Sequence, residues 1–133
     1  MKNLTFKIHK NSTGILIPIS LKKDIPFKVK RIFVINGKKN SKRANHAHQK
    51  CTQFLMPISG SIDVLYENKK GKFKKRLSFR NRKCLLLEPK SWLKIKFITN
   101  NSILVVYCDR EYEYFDYINN YDDFLKIIKK TKK

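Results

Sequence analysis

The sequence contains no long hydrophobic run and few acidic residues. No apolar stretch approaches the roughly 20 residues that a membrane-spanning helix requires, so no membrane span is predicted. The first ten residues alternate polar and apolar side chains and lack the apolar core of a secretory signal, which makes a cytoplasmic location the expectation. Aspartate and glutamate number 10 against 31 lysines and arginines, and the net charge is +21.

Such an excess of positive charge favours an anionic partner, whether nucleic acid, a membrane surface or a phosphorylated metabolite. The lysines are spread over the loops, for example at 38–39 and 69–70, and do not line one helix. Abundant Lys, Asn, Ile and Phe are also typical of an AT-rich genome, which raises the lysine content of any surface. We therefore expect a surface that accepts a phosphate-bearing ligand, with neither nucleic acid nor a membrane as the partner.

Cysteine is scarce. Cys51, Cys84 and Cys108 are odd in number, contain no C-x-x-C pair, and each lies in an apolar or strand-like run. This pattern predicts reduced thiols in or near the core, and it argues against a disulfide framework or a zinc knuckle.

Polar and apolar residues alternate along most of the sequence with a period of two. Short alternating runs, separated by turn signals about 8–12 residues apart, indicate a β-sandwich or barrel. A single helix is predicted after Asn120, which can cap it, and Phe124 begins its apolar stripe. No internal linker or repeat is visible, so residues 1–133 are expected to form one domain. The predicted strands are Thr5–His9, Ile15–Ile19, Lys30–Ile35, His46–Lys50, Gln53–Ile58, Ser61–Tyr66, Phe73–Phe79, Cys84–Leu87, Trp92–Ile98 and Ser102–Cys108.

Two histidines stand at positions i and i+2, His46 and His48, with Ala47 between them. In a strand both imidazoles project from the same face, and on the inner face of a barrel they would lie side by side in a cavity. Histidine has an ordinary pKa near ~6.5, so either ring can accept or donate a proton near neutral pH. The alternative is a pair of surface or hydrogen-bonded core histidines.

The residues around the pair resemble the first cupin motif. From His46 the spacing is H-x-H, four residues, Gln53, six residues, Gly60, although the third polar position is usually glutamate. The second cupin motif should supply a further histidine, and Pro89–Ile95 contains none. Two imidazoles and a neutral amide make a poor site for a divalent metal, so no metal is expected at the histidines.

A closer resemblance covers nearly the whole chain. KRIFVI at 30–35, RANHAH at 43–48, Gln53, and YEYFDYINNYDDF at 112–124 are similar to the sugar 3,4-ketoisomerases that act on dTDP-4-keto-6-deoxyglucose. Two departures stand out: Ala44 replaces a usual glycine, and Leu93 occupies a place where His or Arg often influences the configuration at C4 of the sugar, so the galacto or gluco outcome stays open.

The resemblance implies an all-β cupin jelly-roll barrel with a short C-terminal helix. It implies a homodimer with exchanged N-terminal strands and no cofactor. It also implies the reaction: a proton leaves C3, an enediol forms and a proton returns at C4, so that the ketone moves from C4 to C3. The product would supply a 3-amino-3,6-dideoxy sugar for a surface glycan such as a lipopolysaccharide O-antigen.

Within this interpretation the catalytic residues are His48, as general base, and His46, as the group that relays a proton or stabilises charge. The assignment of the two roles could be reversed. Arginines are suited to a pyrophosphate, glutamine to a sugar hydroxyl and tryptophan to stacking on thymine, while a solvated arginine or a core tryptophan is the alternative. Tyr112 and Asp116, in the tail, are expected near the pocket. The predicted substrate-binding residues are Arg31, Arg43, Lys50, Gln53, Trp92 and Tyr112.

Two other classes of function compete with this one. The first is a non-catalytic barrel that binds a nucleotide sugar or RNA, although no aromatic RNA-binding motif is visible. The second is a metal-dependent cupin enzyme whose ligands lie elsewhere in the chain.

Overall fold

The structure of the chain, a computed structural model, describes residues 4–130. Within them the backbone forms eleven strands, two α-helices (α1 and α2) and one 3-10 helix. In chain order the elements are β1 His9–Asn11, β2 Gly14–Leu16, α1 Leu21–Asp24, β3 Arg31–Gly37, β4 Lys42–His48, β5 Gln53–Ser59, β6 Ser61–Asn68, β7 Gly71–Ser78, β8 Leu85–Leu87, β9 Trp92–Phe97, β10 Ser102–Cys108, the 3-10 helix Tyr114–Asp116, β11 Tyr117–Ile118 and α2 Tyr121–Lys130.

The strands form two antiparallel sheets and a separate hairpin. A four-stranded sheet has the order β3-β10-β5-β8, a five-stranded sheet has the order β11-β4-β9-β6-β7, and β1 pairs with β2. Neighbours in both large sheets are mostly distant in sequence, as in a jelly roll. The predicted fold class, an all-β cupin barrel with a short C-terminal helix, is confirmed.

The main core lies between the two sheets. Leu55, Leu104 and Val106 of the four-stranded sheet pack with Val64 and Ile95 of the five-stranded sheet in one buried cluster. Alternation along each strand produces this layer, because every second side chain points inward.

The outer faces of the sheets are covered differently. The N-terminal segment lays Phe6 and Ile25 over Phe54 and Tyr107, on the outside of the four-stranded sheet. Helix α2 packs Phe124 and other apolar residues against one end of the five-stranded sheet. The predicted helix cap is also found, because the Asp123 backbone N–H donates to Oδ1 of Asn120 over 3.0 Å. No helix in the described part of the chain is both long and apolar enough to cross a membrane.

The predicted strand bounds differ most from the observed ones near the N-terminus and around the histidines. The segment predicted as Thr5–His9 contributes a single β-bridge at Thr5, and the nearby strand β1 starts only at His9. The strand predicted at His46–Lys50 instead runs from Lys42 to His48. By contrast, β10 has the predicted bounds. Gly60 turns the chain between β5 and β6 with a φ of +74°, where a Cβ atom would come within 2.5 Å of Ser102 and Thr99.

Candidate active site

Strand β4 places both histidines on the inner side of the five-stranded sheet. His46 lies opposite Leu93, a residue of the core between the sheets, while Ala47 faces outward and is buried under the C-terminal helix. The ring centroids of His46 and His48 are 5.3 Å apart and the rings are perpendicular. The prediction that the H-x-H pair shares one face is confirmed.

His48 is held by a carboxylate from the far end of the chain. Its Nδ1 lies 2.9 Å from Oδ2 of Asp116, and both side chains are buried. The same carboxylate accepts hydrogen bonds from the backbone N–H groups of Lys50, over 2.7 Å, and Cys51, over 3.3 Å. Asp116 is therefore fixed by the turn that follows β4, and it in turn fixes the His48 ring.

This contact determines which nitrogen of His48 is basic. A carboxylate accepts a hydrogen bond, so the proton of the neutral ring resides on Nδ1 and the lone pair on Nε2. The Nε2 atom is buried and has no hydrogen-bond partner among the described residues. A buried acceptor without a partner is costly in a folded protein, and it is the arrangement expected of a general base that awaits its substrate.

Both histidines are neutral at physiological pH. Burial, together with the nearby His48 ring, lowers the pKa of His46 from 6.5 to about 4. Burial also lowers the pKa of His48, although its hydrogen bond to Asp116 acts in the opposite direction. A neutral imidazole is the form that accepts a proton, and burial keeps both rings in that form. The hydrogen bond to Asp116 offsets part of the loss of basicity that burial causes at His48.

A cavity of about 330 Å³ opens beside the histidines. It combines two guanidinium groups, an imidazole and two primary amides with five aliphatic or aromatic residues. Gln53 is buried there, and its Oε1 has no hydrogen-bond partner among the described residues. Such a cavity offers both positive charge and hydrogen-bonding groups. Its lining residues are Arg31, Phe33, Val34, Ile35, Asn36, Arg43, Ala44, His46, Gln53 and Tyr117.

Tyr117 belongs to this site and was missed by the sequence analysis. It pairs with His48 across β4 and β11, and its ring centroid lies 4.3 Å from that of His48 and 5.1 Å from that of His46. Tyr112 contacts Tyr117, with centroids 5.7 Å apart, and the Arg31 guanidinium lies 5.1 Å from the centre of the Tyr112 ring. Nothing in the spacing of the tyrosine-rich tail distinguishes Tyr117 from its neighbours, because the strand that presents it is only two residues long.

The other predicted site residues divide into two groups. Arg31, Arg43 and Gln53 line the cavity, and Tyr112 borders it through Arg31. Lys50 contributes its backbone N–H to Asp116 and has an exposed side chain, and Trp92 lies outside the cavity, buried beneath α2 against Tyr121 and Phe124. The position of Trp92 favours the core alternative over stacking on a base.

One group of possible metal-binding atoms occurs in the described part of the chain. Donor atoms of His48, Cys51 and Asp116 lie within 4.8 Å of one another. The group includes His48 but not His46, and the imidazole nitrogen of His48 already bonds the Asp116 carboxylate. A hydrogen bond to the Cys108 thiol, together with burial, raises the pKa of the Cys51 thiol, which opposes metal binding because the thiolate is the ligand. That no metal occupies the histidine pair stays a prediction. All three cysteines are free and buried, as expected.

The lowered pKa values of the two histidines lead to a prediction of how folding stability depends on pH. Because folding lowers their pKa, the unfolded chain binds more protons below pH 6.5, and the free energy of unfolding should fall as the pH drops from about 6.5 towards 4. His46→Asn removes one group that takes up a proton on unfolding. The slope of the unfolding free energy against pH should therefore be smaller by up to about 1.4 kcal/mol per pH unit. Urea unfolding between pH 7 and pH 4.5 measures it, with His9→Asn, on the exposed β1–β2 hairpin, as the control for loss of an imidazole. An unchanged slope in His46→Asn would contradict the burial argument.

Comparison with known proteins supplies close relatives over almost the entire chain. The family model FdtA, described as WxcM-like, C-terminal, matches residues 1–129. The chain is 30% identical over 131 residues, 97% of its length and 93% of the relative's, to the TDP-4-oxo-6-deoxy-alpha-D-glucose-3,4-oxoisomerase of Aneurinibacillus thermoaerophilus.

Solved structures agree with this result. QdtA, a sugar 3,4-ketoisomerase from Thermoanaerobacterium thermosaccharolyticum crystallised with TDP, superposes with a TM-score of 0.87 and is 30% identical, with 98% of this chain and 95% of the other covered. A histidine-to-asparagine mutant of that enzyme, crystallised with TDP-4-keto-6-deoxyglucose, has a TM-score of 0.86 and 29% identity, with 97% and 94% of the two chains covered.

Proposed function

Because the chain belongs to the FdtA family of sugar 3,4-ketoisomerases, we propose that it moves the ketone of TDP-4-keto-6-deoxyglucose from C4 to C3, with His48 and His46 as the proton-transferring groups. The observation that carries the assignment of residues is the buried Nε2 of His48, which lacks a partner while Nδ1 is bonded to Asp116. A C–H bond next to a carbonyl requires a positioned base, and this nitrogen supplies one.

In the first half of the reaction His48 removes the proton from C3. The C–H electron pair forms the C3–C4 double bond as the C4 carbonyl pair moves onto its oxygen, which takes up a proton to give the enediol. In the second half the O3 hydroxyl loses its proton, the C3 carbonyl forms and C4 receives the proton held by His48. His46, 5.3 Å from His48 between ring centroids, transfers the hydroxyl proton between O3 and O4.

Asp116 supports each protonation state of His48. It keeps the proton of the neutral ring on Nδ1, so that Nε2 faces the substrate, and it stabilises the imidazolium that forms when Nε2 takes the C3 proton. Because Nε2 has no exposed surface, substrate binding must displace a covering side chain. Tyr117, whose ring contacts both imidazoles, is the side chain we expect to move.

The remaining cavity residues suit a nucleotide-linked sugar. Arg31 and Arg43 line the cavity and carry the planar, permanently charged group that binds a diphosphate or polarises a carbonyl oxygen. The partnerless Oε1 of Gln53 can accept a hydrogen bond from a sugar hydroxyl. These contacts favour a catalytic pocket over a surface that binds RNA.

The decisive experiment is incubation with TDP-4-keto-6-deoxyglucose in D₂O. Product with the ketone at C3 is expected, and deuterium at C4 measures how far the proton on His48 exchanges with solvent before it is returned. The sugar carbons are followed by NMR. Intact substrate without deuterium at C3 would contradict the function and favour the non-catalytic binding alternative. Activity lost to a chelator, with stoichiometric metal in the purified protein, would favour the metal-dependent alternative.

We further propose a homodimer of single cupin domains with exchanged N-terminal strands. Strand β3 is an edge strand of the four-stranded sheet, and its outward residues Ile32 and Val34 are 48% and 61% exposed. They pair with Tyr107 and Val105, whose outer surfaces the N-terminal segment covers, so the apolar cover stops short of β3. The β1–β2 hairpin exposes Ile15 and Leu16 and pairs with no other described strand, which makes it a suitable cover for the partner's edge.

Light scattering at micromolar concentration should therefore give twice the chain mass. Val34→Lys should shift the equilibrium towards monomer, because it places a charge in the apolar contact, whereas Lys75→Glu on the opposite sheet should not. A monomer at all concentrations would contradict the dimer.

The proposed setting is the cytoplasm, where nucleotide sugars are made and where the three free thiols stay reduced. The proposed use of the product, by resemblance, is a 3-amino-3,6-dideoxy sugar of a surface glycan such as a lipopolysaccharide O-antigen. Neither nucleic acid nor a membrane is proposed as a partner.

A further inference from the structure

Strand β4 contains a β-bulge immediately before the histidines. Arg43 lies opposite Ile95 and Ala44 opposite Lys94, but the next pair joins His46 to Leu93. Asn45 is therefore an extra residue, inserted between two consecutive positions of the neighbouring strand.

The bulge decides which face of the sheet carries Arg43. In a regular strand, residues three apart point to opposite faces, so Arg43 would lie on the side away from His46. Here the residues opposite Arg43 and His46, namely Ile95 and Leu93, both belong to the core between the sheets. Arg43 and His46 consequently face the same cavity, which both of them line.

The conformation of the bulge is one that needs support. Ala44 and Asn45 have φ values of 73° and 71°, in the left-handed region that residues other than glycine seldom adopt. Asparagine tolerates this region better than alanine does, and its side chain makes a specific contact: Oδ1 of Asn45 accepts a hydrogen bond from Nε1 of Trp92 over 3.2 Å. Trp92 is only 4% exposed and is packed against Phe124 of α2, so the donor is rigidly placed.

We propose that Asn45 is a positioning residue: its hydrogen bond to Trp92 fixes the bulge and thereby holds Arg43 and His46 on one face of the cavity. The kinetic part of this inference rests on the proposed ketoisomerase function, whereas the placement of His46 does not. Trp92 thus serves the site through Asn45 and does not touch the substrate.

The test uses variants that separate backbone tolerance from the hydrogen bond. Asn45→Ala removes both the tolerance of a positive φ and the hydrogen-bond acceptor. Trp92→Phe removes the N–H donor and keeps an aromatic ring. Asn45→Asp keeps an acceptor on a residue that tolerates a positive φ. Asn101→Ala is the matched control, because Asn101 also has a positive φ, of 55°, but lies in the turn between β9 and β10. Circular dichroism and thermal unfolding establish that each variant is folded.

Two readouts are measured, the NMR titration of the His46 ring and the kinetics of ketone transfer. In Asn45→Ala and Trp92→Phe we expect the pKa of His46 to rise by about one unit from its lowered value, because a relaxed bulge exposes the ring. We expect kcat/KM to fall by about 10-fold or more in both, with kcat reduced, because the proton relay is misplaced. Asn45→Asp should stay within about threefold of the wild type, and Asn101→Ala should lose thermal stability alone.

An unshifted His46 titration in both Asn45→Ala and Trp92→Phe would overturn the inference, even if activity fell. Wild-type kinetics in both would overturn it as well. If the wild-type enzyme proved inactive towards the keto sugar, the proposed function would fail, and the titration would still decide the role of Asn45.

Discussion

His48→Asn is expected to lower kcat by about 10²- to 10⁴-fold, the usual cost of removing a well-placed general base, with little change in the Kd for TDP. Asparagine retains much of the size and hydrogen bonding of histidine but has no basic nitrogen. The substitution therefore removes the base that takes the C3 proton. The amide N–H of the new asparagine can still donate a hydrogen bond to Asp116, as Nδ1 of His48 does. Turnover, TDP binding and exchange of the C3 proton in D₂O are the three measurements.

His46→Asn provides the comparison within the pair. If His46 only relays the hydroxyl proton, this variant should turn over slowly but still exchange C3–H with solvent, whereas His48→Asn should not. Because residues that act as a unit are not additive, the double variant should be little worse than the less active single variant. Near wild-type turnover in His48→Asn would end its assignment as the base, and equal exchange in the two single variants would contradict the division of roles.

Asp116→Asn is expected to lower kcat to a similar extent, by about 10²- to 10⁴-fold, because the equivalent change beside a catalytic histidine in serine proteases costs about 10⁴. The amide of the new residue can donate to Nδ1, which moves the histidine proton to Nε2 and removes the lone pair that takes the C3 proton. Asparagine also retains an oxygen for the backbone N–H of Lys50, so the turn after β4 keeps a partner.

A control for this substitution lies close by in sequence. Asp109 accepts a hydrogen bond from the backbone N–H of Thr52 over 2.9 Å, a structural role similar to that of Asp116, but it makes no hydrogen bond to either histidine. Asp109→Asn should therefore change stability more than kcat. The tautomer is checked directly by the ¹⁵N shifts of His48, which should show Nδ1 protonated in the wild type and Nε2 protonated in Asp116→Asn. Unchanged tautomer and kcat in Asp116→Asn would contradict the role of this carboxylate.

Several parts of the fold and site followed from local pattern. Period-two alternation predicted β5 through β10 to within two residues at each end, because most of these strands are buried on at least one face. The same alternation placed His46 and His48 on one face without reference to the rest of the chain. Asn120 as the cap of α2 was predicted for a comparably local reason, since the capping bond spans three residues.

Other features depended on contacts that local pattern does not encode. The sequence-based strand began at His46, whereas β4 begins at Lys42. Arg43 and His46 share a face only because a bulge lies between them, and only the register against β9 reveals that bulge. Asp116 is separated from His48 by 68 residues, so its role as the partner of Nδ1 is invisible until the chain is folded. Trp92 was a reasonable stacking residue by type, yet its packing beneath α2 removes it from the cavity.

The class of fold, the shared face of the two histidines and the resemblance to the ketoisomerases could all be predicted before folding was considered, because they depend on residue type and on spacings of a few positions. Which histidine nitrogen is basic, how far the pKa of His46 is lowered and how Arg43 comes to face the site depend on the tertiary structure. These properties arise from burial, from strand register and from hydrogen bonds between segments far apart in the chain, and each exists only once the two sheets have packed together.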